Sequence, residues 1–144
     1  MHAFTYPARF AADEDGRILV TFRDFPHTAT DGANRAEARD EAVDLLESIL
    51  AEYVHHGKDI PPPSVTRRSE IQVSPSAITA AQVALYTAMR HEKVTPKELA
   101  KRLRVPIASV RRLTDLANYP PLEAIERALA ALSHRLTVAL DAAE

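Results

Sequence analysis

The chain has 144 residues, of which 46% are hydrophobic and 26% are charged, and its formal net charge is −2. This composition is typical of a globular protein of one or two small domains that can bury a core. The absence of cysteine excludes disulfides, thiol catalysis and Cys-based zinc sites. No apolar run approaches the roughly 18 residues of a membrane span, and the first residues lack a signal-peptide apolar region, so we expect a cytoplasmic protein.

The small net charge conceals two oppositely charged segments. Residues 1–66 contain six Lys/Arg and twelve Asp/Glu, whereas residues 90–112 contain eight Lys/Arg and two Asp/Glu. This asymmetry predicts a basic partner for the first segment and nucleic acid for the second. The alternative is that the charged helix faces arose by chance. We favour nucleic acid because the basic segment coincides with the helical motif described below.

The N-terminal part is predicted to form a small antiparallel meander. Residues 3–11 have the weak alternation of an edge strand, and residues 17–22 and 28–30 supply two further strands. Gly16 provides the positive φ that a hairpin turn after the first strand requires. Residues 71–73 are a candidate fourth strand at the sheet edge.

A long helix is predicted after the meander, followed by a proline-rich segment. Asn34 and Glu37 have the spacing of a capping box at the helix start. Apolar residues then recur at helical spacing and should pack across the sheet: Ala38, Ala42, Leu45, Leu46, Ile49, Leu50 and Tyr53. Gly57 is the expected residue just past the helix end. The prolines at 61–63 favour an extended chain, and residues 65–70 are expected to be an exposed linker.

The C-terminal half is predicted to be helical. Helices are expected over residues 77–91, from Pro96 onward, over residues 107–117 and from Pro121 onward. Residues 136–140 fit either a continuing helix or a strand, and the β-branched Thr137 and Val138 favour a strand. Because a lone terminal strand has unpaired edges, we expect it to pair with the same strand of a second subunit.

Residues 95–116 have the pattern of two short amphipathic helices joined by a tight turn, with Thr95 and Glu98 in a second capping box. Apolar residues occupy the positions where the helices would touch: Leu99, Ala100, Leu103, Val105, Val110 and Leu113. Over residues 77–140 the chain resembles the lambda-repressor-like helix-turn-helix family. That family commonly has glycine in the turn where this chain has Arg104, so we expect Arg104 in a left-handed conformation.

This resemblance implies DNA binding through the second helix of the pair. The residues matching the family's recognition positions are Ile107, Ala108, Ser109, Arg111 and Arg112. An arginine of this set is expected to contact guanine, and an apolar member a thymine methyl group. A DNA phosphate is expected to bind at Thr95, Lys97 and the N-terminus of the first helix. The alternative is a solvated basic face on a packing domain.

Clustered carboxylates at Asp13, Asp15 and Asp24 also suggest a Mg²⁺-dependent nuclease. Turn formation and strand termination explain these residues better. The spacing of His27, His55 and His56 is not that of metal ligands. We therefore expect no enzyme activity, no metal and no cofactor.

The N-terminal half contains a second specific pattern. Its elements are Phe22-Arg23-Asp24-Phe25-Pro26, then Thr30-Asp31-Gly32, and finally Gly57-Lys58-Asp59-Ile60-Pro61-Pro62-Pro63-Ser64. Over residues 4–64 the chain resembles the HicB antitoxin family, although Arg23 and His27 replace the family's common proline and glycine, so a different loop shape is expected there. The resemblance implies a partial RNase H-like fold without a working nuclease site. It also implies a partner, the small basic HicA toxin that cleaves mRNA, and Asp24 and Phe25 are the candidate toxin-binding residues.

The sequence as a whole predicts an α+β protein with a toxin-neutralising domain at residues 1–64. A linker with a candidate edge strand at 65–75 follows, and then a helix-turn-helix and dimerisation domain at 76–144. The expected function is neutralisation of a HicA-type toxin and repression of the chain's own operon through promoter DNA. The expected assembly is a homodimer or a higher even oligomer. The alternative is a stand-alone transcription regulator that senses a small ligand in a pocket between sheet and helix.

Overall fold

The computed structural model describes residues 4–142 and has the α+β architecture that the sequence predicts. The strands are β1 (Tyr6–Ala12), β2 (Ile18–Phe22), β3 (Ala29–Gly32) and β4 (Ile71–Val73). They form one antiparallel sheet of order β3-β2-β1-β4. The helices are α1 (Arg35–His55), α2 (Ala77–His91), α3 (Pro96–Leu103), α4 (Ile107–Leu113) and α5 (Leu122–Ala131). Within residues 4–142, each helix is too short or too polar to cross a membrane.

The position of β1 corrects the prediction of an edge strand. β1 lies inside the sheet because β4 pairs along its free side, with Tyr6 opposite Val73 and Ala8 opposite Ile71. Both Tyr6 and Ala8 are fully buried, as expected for an interior strand. The prediction that residues 71–73 form a strand at the sheet edge is confirmed.

Helix α1 packs on the sheet through the stripe that its sequence predicts. The Asn34 side chain accepts a hydrogen bond from the Glu37 amide at 2.9 Å and so caps the helix start. The buried residues of α1 are Ala38, Ala42, Leu46, Ile49 and Leu50, and they join the sheet residues in a first hydrophobic core. Gly57 follows the helix with φ +63°, which confirms its predicted place past the helix end.

The segment expected to be an exposed linker is held in place at Glu70. The Arg23 guanidinium lies 2.8 Å from a Glu70 carboxylate oxygen and donates to the Val65 carbonyl at 2.9 Å. The Glu70 side chain is only 7% exposed. Hydrogen bonding from Arg23 lowers the pKa of Glu70 to about 2. Val65 itself is 89% exposed, so Arg23 holds both ends of a linker whose side chains are otherwise mostly solvated.

Glu70→Gln is expected to remove a pH-dependent part of the stability. Because the folded-state pKa of Glu70 is depressed, its contribution is present above the ordinary glutamate pKa of 4.5 and is lost as the pH falls toward about 2. The variant should therefore be less stable than the wild type at neutral pH and converge with it near pH 2. Urea midpoints measured across this pH range test the prediction. The exposed Glu14→Gln is the control, and an identical pH slope in wild type and Glu70→Gln would contradict it.

His27 preserves the loop conformation that a glycine would favour. Its φ is 66°, in the left-handed region, although histidine is the residue present. The Thr28 hydroxyl donates to the Phe25 carbonyl in the same loop. The sequence predicts a different loop shape where His27 replaces glycine. The structure shows instead that His27 keeps the backbone conformation typical of glycine.

Helix α2 contributes side chains to two hydrophobic cores. Val83 belongs to the first core, whereas Ala81, Leu85 and Met89 belong to a second core with α3, α4 and α5. The predicted inward residues of α5 are confirmed, since Ile125, Leu129 and Leu132 are all at most 4% exposed.

Two C-terminal predictions differ from the structure. Helix α4 ends at Leu113 instead of residue 117, because the Asp115 carboxylate accepts the Ala117 amide at 3.0 Å and so favours a turn. Residues 136–140 form neither a helix nor a strand in the single chain. Leu136 packs against the second core, while Leu140 is fully exposed.

Candidate functional site

Helices α3 and α4 are joined by the short connection at residues 104–106. The Thr95 hydroxyl accepts the Glu98 amide at 3.1 Å, and Pro96 occupies the first position of α3. Arg104 ends the helix at φ 58° and ψ 45°, which confirms the predicted left-handed conformation. The Val105 amide then donates to the Ala100 carbonyl at 3.1 Å and closes the turn.

Arg104→Gly is expected to stabilise the protein by about 1 kcal/mol, because glycine adopts the left-handed conformation without the steric penalty of a Cβ atom. The midpoint of thermal unfolding should rise by a few degrees. Arg102→Gly, which removes the same charge inside α3, should instead destabilise by about 1 kcal/mol. A destabilised Arg104→Gly variant would contradict the account of this turn.

The predicted packing of α3 against α4 is largely confirmed. Leu99, Ala100, Val110 and Leu113 are all buried in the second core. Val105 was also expected in this core but is 39% exposed, because the turn directs it outward. The helix pair therefore has a tight apolar interior and an exposed face.

Nearly all exposed charged residues of the helix pair are basic, and we call them the basic surface. Its exposed members are Lys97, Lys101, Arg104, Arg111 and Arg112. Within residues 4–142, Lys97 and Arg111 have no ion-pair partner, whereas the neighbouring Arg102 is paired with Glu98 at 3.1 Å. Exposed cations without ion-pair partners are typical of a surface that binds a polyanion.

The structure separates the predicted DNA-binding residues into two groups. Thr95, Lys97, Ala108, Arg111 and Arg112 are exposed, whereas Ile107 and Ser109 are half-buried. Ile107 also packs against the second core, which leaves less of its side chain to meet a thymine methyl group. Sequence reasoning missed Lys101, which helical spacing four residues after Lys97 could have identified.

The two candidate toxin-binding residues have structural roles. Phe25 is 1% exposed and contacts the rings of Tyr6 and Tyr53, with centroid distances of 4.8 and 5.6 Å. The ring is therefore enclosed by the chain's own aromatic residues. The Asp24 carboxylate accepts hydrogen bonds from the amide and hydroxyl of Ser64 and so holds the end of the proline-rich segment against the sheet.

The Tyr6 hydroxyl completes this attachment by donating to the Pro61 carbonyl at 2.7 Å. Burial raises the pKa of Tyr6, so the phenol remains a hydrogen-bond donor at neutral pH. Asp24 and Tyr6 therefore hold the proline-rich segment against the sheet.

The exposed side of α1 is rich in carboxylates, and we call it the acidic surface. Its exposed carboxylates are Glu37, Asp40, Asp44 and Glu52. Glu41 is half-buried beside them. The acidic surface lies on the N-terminal unit, which is the sheet and α1 around the first core. The basic surface lies on the C-terminal unit, which is α3, α4 and α5 around the second core, and the two surfaces have opposite charge.

The carboxylates considered for a metal site include Asp13, which has a structural role in the hairpin turn. The Asp13 carboxylate accepts the amides of Asp15 and Arg17, both at 2.9 Å, and so builds the predicted hairpin turn. The described residues contain no group of three or more His, Asp or Glu that could hold a metal ion. A groove of about 610 Å³ lies between α2, α5 and the C-terminal segment, and a smaller one of about 300 Å³ lies where β4 meets Arg39 and Val43 of α1.

Comparison with known proteins identifies relatives along nearly the whole chain. Residues 5–84 match the family model described as the HicB_like antitoxin of bacterial toxin-antitoxin systems. Antitoxin HicB of Pseudomonas fluorescens is 32% identical over 132 residues, covering 91% of this chain and 90% of that protein. Antitoxin HicB 1 of Photorhabdus laumondii is 29% identical, covering 94% and 86%, and Antitoxin HicB of Escherichia coli K12 is 28% identical, covering 94% and 98%. The chain therefore belongs to the HicB-like antitoxin family.

Proposed function

We propose that this chain is the antitoxin of a toxin–antitoxin pair and that its N-terminal unit binds and neutralises a HicA-type mRNA-cleaving toxin. The observation that carries the proposal is the family match over residues 5–84, which spans the whole sheet and α1. The chain acts in the cytoplasm as a regulator without enzymatic activity of its own.

The toxin contact is proposed to lie on the acidic surface of α1. Exposed carboxylates there complement a basic partner, and complementary charge increases both association rate and specificity. The buried Phe25 and the loop-bound Asp24 act indirectly, by holding the loop beside the sheet.

Co-expression with the neighbouring gene tests this function. The wild-type chain is expected to restore growth of cells that produce the neighbouring gene product, and failure to do so would contradict the antitoxin assignment. Asp40→Lys combined with Asp44→Lys should abolish the protection, because like charges at an interface are repulsive. Glu123→Lys combined with Glu126→Lys makes the same charge change on α5 and should leave protection intact.

The C-terminal unit is proposed to be a helix-turn-helix domain that binds promoter DNA and represses the chain's own operon. The unpaired basic surface beside α4 supports this proposal. Arg111 and Arg112 would contact guanine in the major groove, with Ala108 near a thymine methyl group. Thr95, Lys97 and the N-terminus of α3 would contact phosphate.

A homodimer would place two α4 helices about one DNA turn apart, with a higher even oligomer built from such dimers. Two exposed apolar side chains, Val138 at 86% and Leu140 at 100%, support pairing of the C-terminal segments. Deletion from Arg135 onward is therefore expected to weaken dimerisation and promoter binding together. Sedimentation and DNA titration at matched concentrations measure both effects, and an unchanged dimer would refute pairing through this segment.

A further inference from the structure

The loop that follows α4 is tightly hydrogen-bonded. The Asn118 amide donates to the Asp115 carbonyl at 3.0 Å. The Asp115 carboxylate accepts the Ala117 amide at 3.0 Å and the Asn118 side-chain amide at 2.9 Å. Because α4 has only seven residues and ends just before this loop, the loop helps to fix the position of the C-terminal end of α4.

A buried glutamine of α2 holds the loop from the other side. Gln82 is 0% exposed, and its side-chain NH₂ donates to the carbonyls of Asp115 and Asn118 at 2.9 and 3.1 Å. Its Oε1 atom is buried and accepts no hydrogen bond from the residues described. A buried unsatisfied oxygen is unfavourable, and this cost offsets part of the stability that the two donated hydrogen bonds contribute.

The same loop contacts the N-terminal unit. Leu116 packs against the first core, to which Val83 of α2 also belongs. Helix α2 is in turn attached to the segment after α1, because the Tyr86 hydroxyl donates to the Lys58 carbonyl at 2.7 Å. Near the start of α2, the Ser76 amide donates to a Glu47 carboxylate of α1 at 2.7 Å. The C-terminal end of α4 is therefore anchored to both units.

We propose that Gln82 is a positioning residue for DNA recognition, which fixes the loop at residues 115–118 and thereby the orientation of α4 relative to the N-terminal unit. This inference rests on the proposed promoter binding. It explains why a helix between two apolar cores contains a fully buried amide that donates both of its hydrogen bonds to the loop after α4.

Gln82→Met in the full chain tests this role, because methionine fills a similar volume without a hydrogen-bond donor. The matched control is Thr79→Val, which removes a buried hydroxyl from the same helix without touching the loop. For each variant, the measurements are thermal unfolding, hydrogen exchange of the Asn118 amide, and dissociation constants for upstream promoter DNA and a scrambled duplex at fixed salt.

For Gln82→Met we expect the unfolding midpoint to fall by a few degrees, because two loop carbonyls lose their donor, and exchange at Asn118 to be about tenfold faster than in the wild type. The preference for promoter over scrambled DNA should fall about tenfold, comparable to one mismatched base pair, with scrambled-duplex binding unchanged. Thr79→Val should retain wild-type exchange and preference.

Equal weakening toward both duplexes would indicate a purely structural role and overturn the proposal. Unchanged exchange at Asn118 would overturn it independently of any DNA measurement. If the wild type shows no promoter preference, the proposed DNA binding fails by itself, and the exchange result still decides whether Gln82 holds the loop.

Discussion

Arg111→Ala is expected to weaken binding to promoter DNA by about 10- to 100-fold per half-site, because a forked arginine–guanine contact contributes about 1–3 kcal/mol of discrimination. In a dimer the change occurs in both half-sites, so the two losses of binding free energy add. The side chain is exposed and without an ion-pair partner among the residues described, so its removal leaves the core intact. Competition titrations against duplexes changed at single positions measure the effect.

Whether the weakened binding depends on the DNA sequence distinguishes a contact with a base from nonspecific electrostatic attraction to phosphate. Arg111→Ala should relax sequence preference, whereas Lys97→Ala should weaken all duplexes alike and flatten the salt dependence by about 0.9 in log–log slope for each phosphate interaction that it removes. Arg127→Ala removes an equal charge from the exposed side of α5 and should have little effect. Unchanged sequence preference in Arg111→Ala would remove this residue from the base-contacting set.

Gly32→Ala is expected to destabilise the protein by about 3 kcal/mol, which is large against a total stability of about 5–15 kcal/mol. A Cβ atom at Gly32 would lie 2.4 Å from the Ala38 nitrogen and 2.7 Å from its Cα atom. Both atoms belong to the backbone of α1, so no side-chain rotation can relieve the overlap. The end of β3 and the start of α1 would have to separate, and the first core would open there.

Gly16→Ala is the matched control for this prediction. A Cβ atom at Gly16 meets nothing within 4 Å, so only the positive φ of 78° opposes the substitution. We expect a destabilisation of about 1 kcal/mol there. Chemical denaturation of both variants provides the comparison. Equal destabilisation at the two glycines would contradict the close approach of β3 to α1.

Local chemistry made several elements predictable from the sequence. The helix caps at Asn34 and Thr95 depend on side chains that accept hydrogen bonds from amides three residues later. A short stretch of sequence is therefore enough to predict them. The left-handed conformation of Arg104 was expected from the family that this segment resembles, because that family commonly has glycine at this place in the turn. The apolar stripe of α1 is likewise a periodic property of one segment.

Features that depend on distant residues could not be predicted in the same way. β1 becomes an interior strand only because β4 returns from residues 71–73 to pair with it. Phe25 was expected on a partner surface, but its ring is enclosed by Tyr6 and Tyr53 from separate elements. Gln82 is a further example, since its loop partners lie more than thirty residues away in sequence.

The central claim is that this chain neutralises an mRNA-cleaving toxin by binding it directly. An RNA-cleavage assay of the neighbouring gene product, titrated with the purified chain, tests that claim most directly. Cleavage is predicted to fall in proportion to the added chain, and the double Asp40→Lys, Asp44→Lys variant should not inhibit. Undiminished cleavage at a molar excess of the wild-type chain would contradict the proposed function.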